Sequence, residues 1–431
     1  MSNRILRLLS ISAAIFLAVI SVAVTRSVLA TPALRPAAQG NAYVEVCTWL
    51  DCKTGAVSYS QDDANNIVPY SVNTNTNSCQ IDLENAGLRG TFYYNGGSSP
   101  DWLTTLSDAG HEVGSHLVNH DLNCAMPPAC APTCTLETLL QIPYTITDVN
   151  SFRQGQIDPN VAAIESRTGK PVVSMAYACG NADPGRMAAA QSYFAGVRSY
   201  YEPLPWGSNL TWIYDVNTPT PDEFMLLNAD WYFHQALVDS AVNENGWDII
   251  TVHDYCEGIN ALKNISHTTW IAPVGEVLKY IRVRNATQIT NYARSGTSIS
   301  FDAVHNLPVF QRQQLDGTPL LPIVYDNPVT LRARVPMTAN ILSVQANGVG
   351  ITYTVGVVSG TNYVWFNTPL TTSQHIEIEG DAPLAVRVVH LSATPSAADA
   401  TPALLVASGA SVCLLIMWTQ RQRRRRGRQR G

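Results

Sequence analysis

Between about residues 40 and 290, short runs rich in β-branched and aromatic residues alternate with segments of helical spacing. Such β-rich runs mark candidate strands of an α/β unit. The runs Tyr43–Cys47, Ala56–Tyr59, Gly90–Tyr94, His111–Ser115, Val172–Ala176 and Trp247–His253 predict such strands. A helix is predicted over Pro100–Ala109, with Ser99 as its cap, Pro100 in its first turn and Gly110 beyond its end. Apolar residues three and four apart predict two more, over Trp231–Asn243 and Val274–Asn285. After residue 290 the period shortens to two, in Val329–Val335, Ile351–Val358, Asn362–Asn367, His375–Glu379 and Ala385–Leu391, with turns at Asn347-Gly348 and Gly360-Thr361. The first region therefore predicts an α/β unit, residues 40–290, and the second a small antiparallel β-sandwich, residues 291–393.

The two ends carry their own pattern. Arg4 and Arg7 precede the apolar run Leu8–Val24, and Val28-Leu29-Ala30 offers a small-residue cleavage site, so residues 1–30 predict a secretory signal peptide, with a retained anchor as the alternative. Residues 394–401 form a short tether, and 402–418 are apolar and uncharged over the length of a minimal transmembrane helix. Residues 419–431 follow with Arg421, Arg423 to Arg426, Arg428 and Arg430, a cytoplasmic tail under the positive-inside rule. A buried core helix with a solvated basic tail is the alternative. The expectation is a single-pass protein of the cell membrane, anchored by its C-terminal helix, with the folded body outside the cytoplasm.

Charge agrees with that topology. The 431 residues hold 27 Lys+Arg against 33 Asp+Glu, a net −6. Setting aside the ten arginines of the two ends leaves 17 basic residues against 33 acidic, or −16 over residues 31–418. With charged residues at only 14%, a disordered acidic chain, a coiled coil and a basic nucleic-acid binder are excluded, so no nucleic-acid partner is expected. Of nine cysteines, Cys413 falls in the apolar segment; Cys47, Cys52, Cys79, Cys124, Cys130, Cys134, Cys179 and Cys256 fall in the body, enough for four disulfides of open connectivity. No CxxC pair supports a zinc cluster instead.

Three segments at predicted strand ends carry chemistry: Ser58-Tyr59-Ser60-Gln61-Asp62-Asp63-Ala64, Gly114-Ser115-His116-Leu117-Val118-Asn119-His120, and Ile249-Ile250-Thr251-Val252-His253-Asp254. Singly each has an ordinary explanation: a solvated turn, a chance HxxxH, a structural histidine. Together, two histidines and a carboxylate make an N,N,O metal site with open positions, beside a second carboxylate to take a proton and a further histidine to deliver one. That is the inventory of metal-assisted amide or ester hydrolysis.

The ordered set resembles the polysaccharide deacetylases, the NodB-homology domain of carbohydrate esterases, over residues 43–285. That family has a TFDDG-like motif, then HxxxH, then an R-x-P-Y/W-like segment, then a late histidine after an apolar strand. The stretches RGTFYYNGG (Arg89–Gly97), AGHEVGSH (Ala109–His116), WDIITVHD (Trp247–Asp254) and APVGEVLKYIRVRNA (Ala272–Ala286) share its texture. The resemblance implies a distorted (β/α) barrel with its site at the strand C-terminal ends, and an acetylated glycan as substrate. It implies Asp63, His116 and His120 as ligands of a divalent metal, Zn²⁺ first, with Mn²⁺, Co²⁺ or Ni²⁺ as alternatives. Asp62 would be the general base and His253 the acid that protonates the leaving amine. Ala176–Gly180 (AYACG) would be the third motif, with Tyr177 and a backbone N–H near Cys179 at the oxyanion; Asp230 and Trp231 would correspond to the Asp-Trp segment that orients the catalytic histidine. Two departures stand out. Ala64 replaces the glycine of the first motif, a source of strain if that turn needs φ > 0. The third motif lacks the arginine that tethers the base in the family. A glycan-binding or surface protein without turnover, on the same fold, is the rival expectation.

Overall fold

The computed structural model describes residues 43–64, 79–119, 149–180, 184–200, 225–253, 255–336 and 340–381, with backbone alone at 184, 200, 225–228 and 230–231. In chain order the elements are β1 (Val44–Val46), β2 (Gly55–Gln61), α1 (Gln80–Asn85), β3 (Thr91–Tyr94), α2 (Trp102–Asp108), β4 (Glu112–Ser115), α3 (Asp158–Thr168), β5 (Ser174–Ala176), α4 (Pro184–Ala190), β6 (Gly196–Tyr200), β7 (Met225–Trp231), α5 (Gln235–Glu244), β8 (Trp247–Val252), α6 (Ile259–Ile265), β9 (Thr269–Ile271) and α7 (Val274–Ala286). Among the described residues only strands follow: β10 (Gln288–Ser295), β11 (Ser298–Val304), β12 (Val329–Arg334), β13 (Ile341–Ala346), β14 (Val349–Gly350), β15 (Tyr353–Val358), β16 (Thr361–Thr368) and β17 (Gln374–Gly380).

Strands β2 to β9 form one parallel sheet of order β3-β4-β5-β6-β7-β8-β2-β9. β2 is buried along its whole length, Ser58 and Ser60 included: Ser58 Oγ accepts from Trp247 Nε1 at 3.0 Å and Ser60 Oγ donates to the Ile250 carbonyl at 2.9 Å. One edge of β2 pairs β8 from Ala56 to Gln61. The other pairs β9 over Gly55–Val57 and β3 over Ser60–Gln61. That second pairing curls the sheet into the expected (β/α) barrel, from which β9 splays. Tyr59, Phe92, Met175, Val197 and Ile250 belong to its main core.

The alternating region forms two antiparallel sheets, β1-β12-β16-β15 and β10-β11-β17-β13-β14. Their inner faces bury Val44, Phe301, Leu331, Phe366 and Ile376 against Tyr280 and Val283 of α7. The predicted strand Tyr43–Cys47 forms, but in this layer, where Val44 pairs Ala333. Its burial alternates, with Val44 and Val46 inside and Glu45 paired to Arg332, so it has the period of an antiparallel strand. The segment between β11 and β12 clasps the barrel. Arg312 is buried in an ion pair with Glu165 of α3 and donates to the carbonyls of Val172 (3.0 Å) and Tyr193 (2.8 Å).

Two local expectations are corrected. Ser99 does not cap α2; its hydroxyl donates to the Ala163 carbonyl at 3.0 Å, and the helix starts at Trp102. The helix expected from Trp231 starts at Gln235, because β7 extends to Trp231 in register with β8. Disulfides join Cys47 to Cys52 and Cys79 to Cys256, and Cys179 is also disulfide-bonded. Among the described residues no helix is long and apolar enough to cross a membrane. The predicted signal peptide 1–30, strand Ala385–Leu391, tether 394–401, apolar segment 402–418 and tail 419–431 lie outside the described residues.

Candidate active site

At the C-terminal mouth of the barrel, β2 hands over to Asp62 and Asp63, β3 to Asn95, β4 to His116 and β8 to His253. This is the end of a (β/α) barrel where loops from successive strands meet. The last rung between β2 and β8 is the Asp62 amide donating to Val252 O at 2.9 Å, so Asp63 and His253 leave the sheet side by side. His253 Nε2 lies 3.8 Å from Asp63 Oδ2. His116 Nε2 lies 3.8 Å from Asp63 Oδ1 and 4.0 Å from Asp62 Oδ2. Four of the residues singled out from sequence therefore converge.

Two turns of unusual backbone aim these side chains. Asp63 has φ 53° and Leu117 φ 69°, both left-handed. Each costs roughly 1–2 kcal/mol in a non-glycine residue. The strain sits on Asp63 rather than on Ala64, whose φ is negative, so the Gly-to-Ala departure carries no backbone penalty. Asn160 of α3, fully buried, holds the Leu117 turn. Its Nδ2 faces the carbonyls of Tyr94 (2.9 Å), Gly96 (2.8 Å) and Leu117 (3.0 Å). Asn95 Nδ2 donates to Asp63 Oδ1 at 3.0 Å and fixes that carboxylate.

His116 Nδ1 sits 2.9 Å from the carbonyl oxygen of Ala176, the last residue of β5. A carbonyl can only accept, so Nδ1 carries the proton and Nε2 presents its lone pair. Burial pushes the His116 pKa down against the pull of Asp62 and Asp63, keeping the ring neutral. A lone pair and two carboxylates directed at one another are the donor chemistry of a cation site. The 3.8 Å between Asp63 Oδ1 and His116 Nε2 can be bridged by two bonds of about 2.1 Å. Those two residues fit a divalent ion. The third expected ligand, His120, lies outside the described residues, among which no group of three His, Cys, Asp or Glu is gathered to hold a metal.

Asp62 is only 4% exposed and is ion-paired with Arg198, itself 1% exposed. Burial pushes the Asp62 pKa up, but Arg198, His116 and His253 together outweigh it and hold the carboxyl below its usual value. Arg198 lies on β6, with its guanidinium 4.6 Å from the Tyr93 ring centroid. The tyrosine hydroxyl is 3.0 Å from Ser174 Oγ, which donates to Glu112 at 2.7 Å. The strand that follows the expected third motif thus carries the arginine that pairs with Asp62.

The other expected residues are placed as follows. Tyr177 follows β5, is buried, and its amide donates to Arg198 O at 2.9 Å. Cys179 occupies a tight turn with φ 52°. Asp230 and Trp231 end β7 in register with Ile250 and Thr251 of β8, next to the loop of His253; their side chains lie outside the described residues. Arg198, Asn95, Asn160 and Gln61 were not anticipated. Arg198 left one trace in the sequence, a lone charge within Gly196–Tyr200, and charges are almost never fully buried unless paired, but nothing there names its partner.

No family model and no curated protein matches the sequence. Among solved structures, the chain is similar to carbohydrate esterases of the CE4 family. The CE4 domain of a multidomain xylanase from the hindgut metagenome of Trinervitermes trinervoides is 14% identical, over 52% of this chain and 90% of that one, with a TM-score of 0.29. A family 4 acetyl xylan esterase from Clostridium thermocellum, solved with a cobalt ion, is 15% identical over 52% and 91%, TM-score 0.29. A CE4 family pseudoenzyme from Bacillus anthracis is 16% identical over 52% and 65%, TM-score 0.30. Likeness of this size assigns no chemistry; the arrangement at the barrel mouth has to do so.

Proposed function

We propose that the protein is a metal-dependent hydrolase that removes N-acetyl groups, or alternatively O-acetyl groups, from a surface or extracellular polysaccharide. We further propose that segment 402–418 tethers it to the cell membrane with the barrel outside the cytoplasm. The observation that supports the hydrolytic reading is the meeting of Asp62, Asp63, His116 and His253 at one mouth, with His116 held as the Nδ1–H tautomer. Asp63 and His116, with His120 as third ligand, would hold a divalent ion, Zn²⁺ first and Mn²⁺, Co²⁺ or Ni²⁺ as alternatives. Such an ion, when bound, polarises the acetyl carbonyl and steadies the charge that develops on its oxygen.

The chain's own groups divide the proton work. Asp62, kept ionised by Arg198, accepts a proton from the attacking water. The water oxygen bonds to the acetyl carbon, the C–N bond breaks, and acetate leaves. His253, half-buried at the rim, donates a proton to the departing amine. Asn95 keeps Asp63 from rotating during these steps. A backbone N–H near Cys179 and the side chain of Tyr177 would line the carbonyl side, and Asp230 and Trp231 would flank His253.

Metal content and acetate release test this together. The purified protein is expected to hold about one divalent ion and to release acetate from chitooligosaccharides, assayed beside peptidoglycan fragments and simple amides. His120→Ala should lose the metal. Asp62→Asn should keep it and lose turnover by about 10² or more. Stoichiometric metal in His120→Ala, or full turnover in Asp62→Asn, refutes the assignment. Glycan retention without any acetate release would favour the rival, binding without turnover.

A further inference from the structure

The β2–β8 ladder stops one residue short of His253, and what takes over is a side chain. Gln61, the last residue of β2, is 3% exposed. Its Nε2 donates to the His253 carbonyl at 2.7 Å, and its Oε1 accepts from the Cys79 amide at 3.0 Å. Cys79 is fully buried and disulfide-bonded to Cys256, three residues beyond His253, with Cα atoms 5.2 Å apart. The Tyr59 hydroxyl contacts Cys79 Sγ at 3.8 Å from the same strand. The result is a closed ring: the Gln61 amide, Cys79, the disulfide, Cys256, and the chain back to His253.

We propose that Gln61 is a positioning residue, which with the Cys79–Cys256 disulfide fixes the His253 loop relative to Asp63. This rests on the deacetylase reading for its effect on rate, though not for the clamp itself. Only a side chain with one donor and one acceptor in a fixed fork serves both partners, and a primary amide is that group. A histidine that must deliver a proton from a loop needs such restraint. Misplacement by about 1 Å costs on the order of 10² in rate. Both bonds go to backbone atoms and none to substrate, so the clamp acts on kcat rather than on KM.

The test compares the full-length wild type with Gln61→Met, a near-isostere lacking both bonds. Two readouts are taken: kcat and KM for acetate release from chitooligosaccharides, and hydrogen–deuterium exchange of the peptide spanning residues 251–259. Gln61→Met should lower kcat by about 10- to 100-fold with KM within about twofold, while that peptide exchanges at least about tenfold faster. Should Gln61→Met not fold, Gln61→Leu, which likewise removes both bonds and adds no charge, takes its place, and the same shifts are expected. Unchanged exchange in a folded Gln61 variant overturns the proposal, as does a rise in KM with kcat intact. If the wild type releases no acetate, the deacetylase reading fails, and the exchange comparison still decides the clamp.

Discussion

Replacing Arg198 by methionine isolates the contribution of a charge inside the barrel. The guanidinium is 1% exposed and pairs with Asp62, 4% exposed, so its removal strands a carboxylate away from water. Breaking a buried pair from one side typically costs about 3–5 kcal/mol. Its face contact with Tyr93, at 4.6 Å, goes with it, within that same figure. For a unit of this size the loss corresponds to a fall in Tm of roughly 5–15 °C. Burial pushes the Asp62 pKa up and Arg198 is the largest of the groups that offset it, so its removal moves the carboxyl toward the protonated form and weakens it as a base. The decisive comparison is with Arg198→Met/Asp62→Asn, where no charge is left to strand. Differential scanning calorimetry should return the double variant to within about 1 kcal/mol of wild type, while acetate release stays lost. If Arg198→Met melts within about 2 °C of wild type, or the double variant is no more stable than the single, the pair is not the buried, unrelieved charge described above.

Three further outcomes follow from named contacts. Burial lowers the His111 pKa from 6.5 to about 4, so between those values the unfolded chain binds a proton that the folded chain refuses. Stability should therefore rise with pH across that window, His111 contributing as much as about 3 kcal/mol, so urea melts should show a shallower slope in His111→Gln than in wild type. Asn160→Leu removes the side-chain donor from the carbonyls of Tyr94, Gly96 and Leu117, of which those of Tyr94 and Leu117 keep the amides of His116 and Gly96; a loss of about 1–3 kcal/mol and of metal affinity is expected, by melts and metal titration, against no change if the Leu117 turn holds itself. Gly114→Ala sets a Cβ 2.5 Å from the Tyr93 ring; it should lower kcat by tilting Tyr93 away from Arg198, and a crystal structure with Tyr93 unmoved would refute that.

An α/β layer was legible because short β-rich runs at β2, β3, β4, β5 and β8 alternate with segments of helical spacing; its closure as a barrel followed only from the family resemblance. β6 and β7 were not, because β6 carries Arg198 in its middle and the run over β7 reads equally as the start of a helix. Asp62, Asp63, His116 and His253 were legible as dyads and spacings that follow strands. Arg198 was not, since its importance lies across the barrel from Asp62, 136 residues away, and no linear pattern encodes that. Gln61 and Asn160 share the difficulty: an amide's partners are backbone atoms, which leave no mark on the residues that supply them. The strain assigned to Ala64 moved to Asp63, because a motif marks where a turn occurs but not which residue inside it goes left-handed.

β1 has a consequence for how the chain assembles. Its partner, β12, arrives nearly three hundred residues later: Val44 meets Ala333. The earliest stretch of the body to emerge during synthesis must therefore wait, unsatisfied, until the barrel and the clasp of Arg312 have both been made. Severing the protein between its layers would orphan a strand on one side and a carboxylate, Glu165, on the other. Late closure of this kind ties successful maturation to the last-made third of the molecule, and a chain stopped short would carry an open apolar edge for quality control to find.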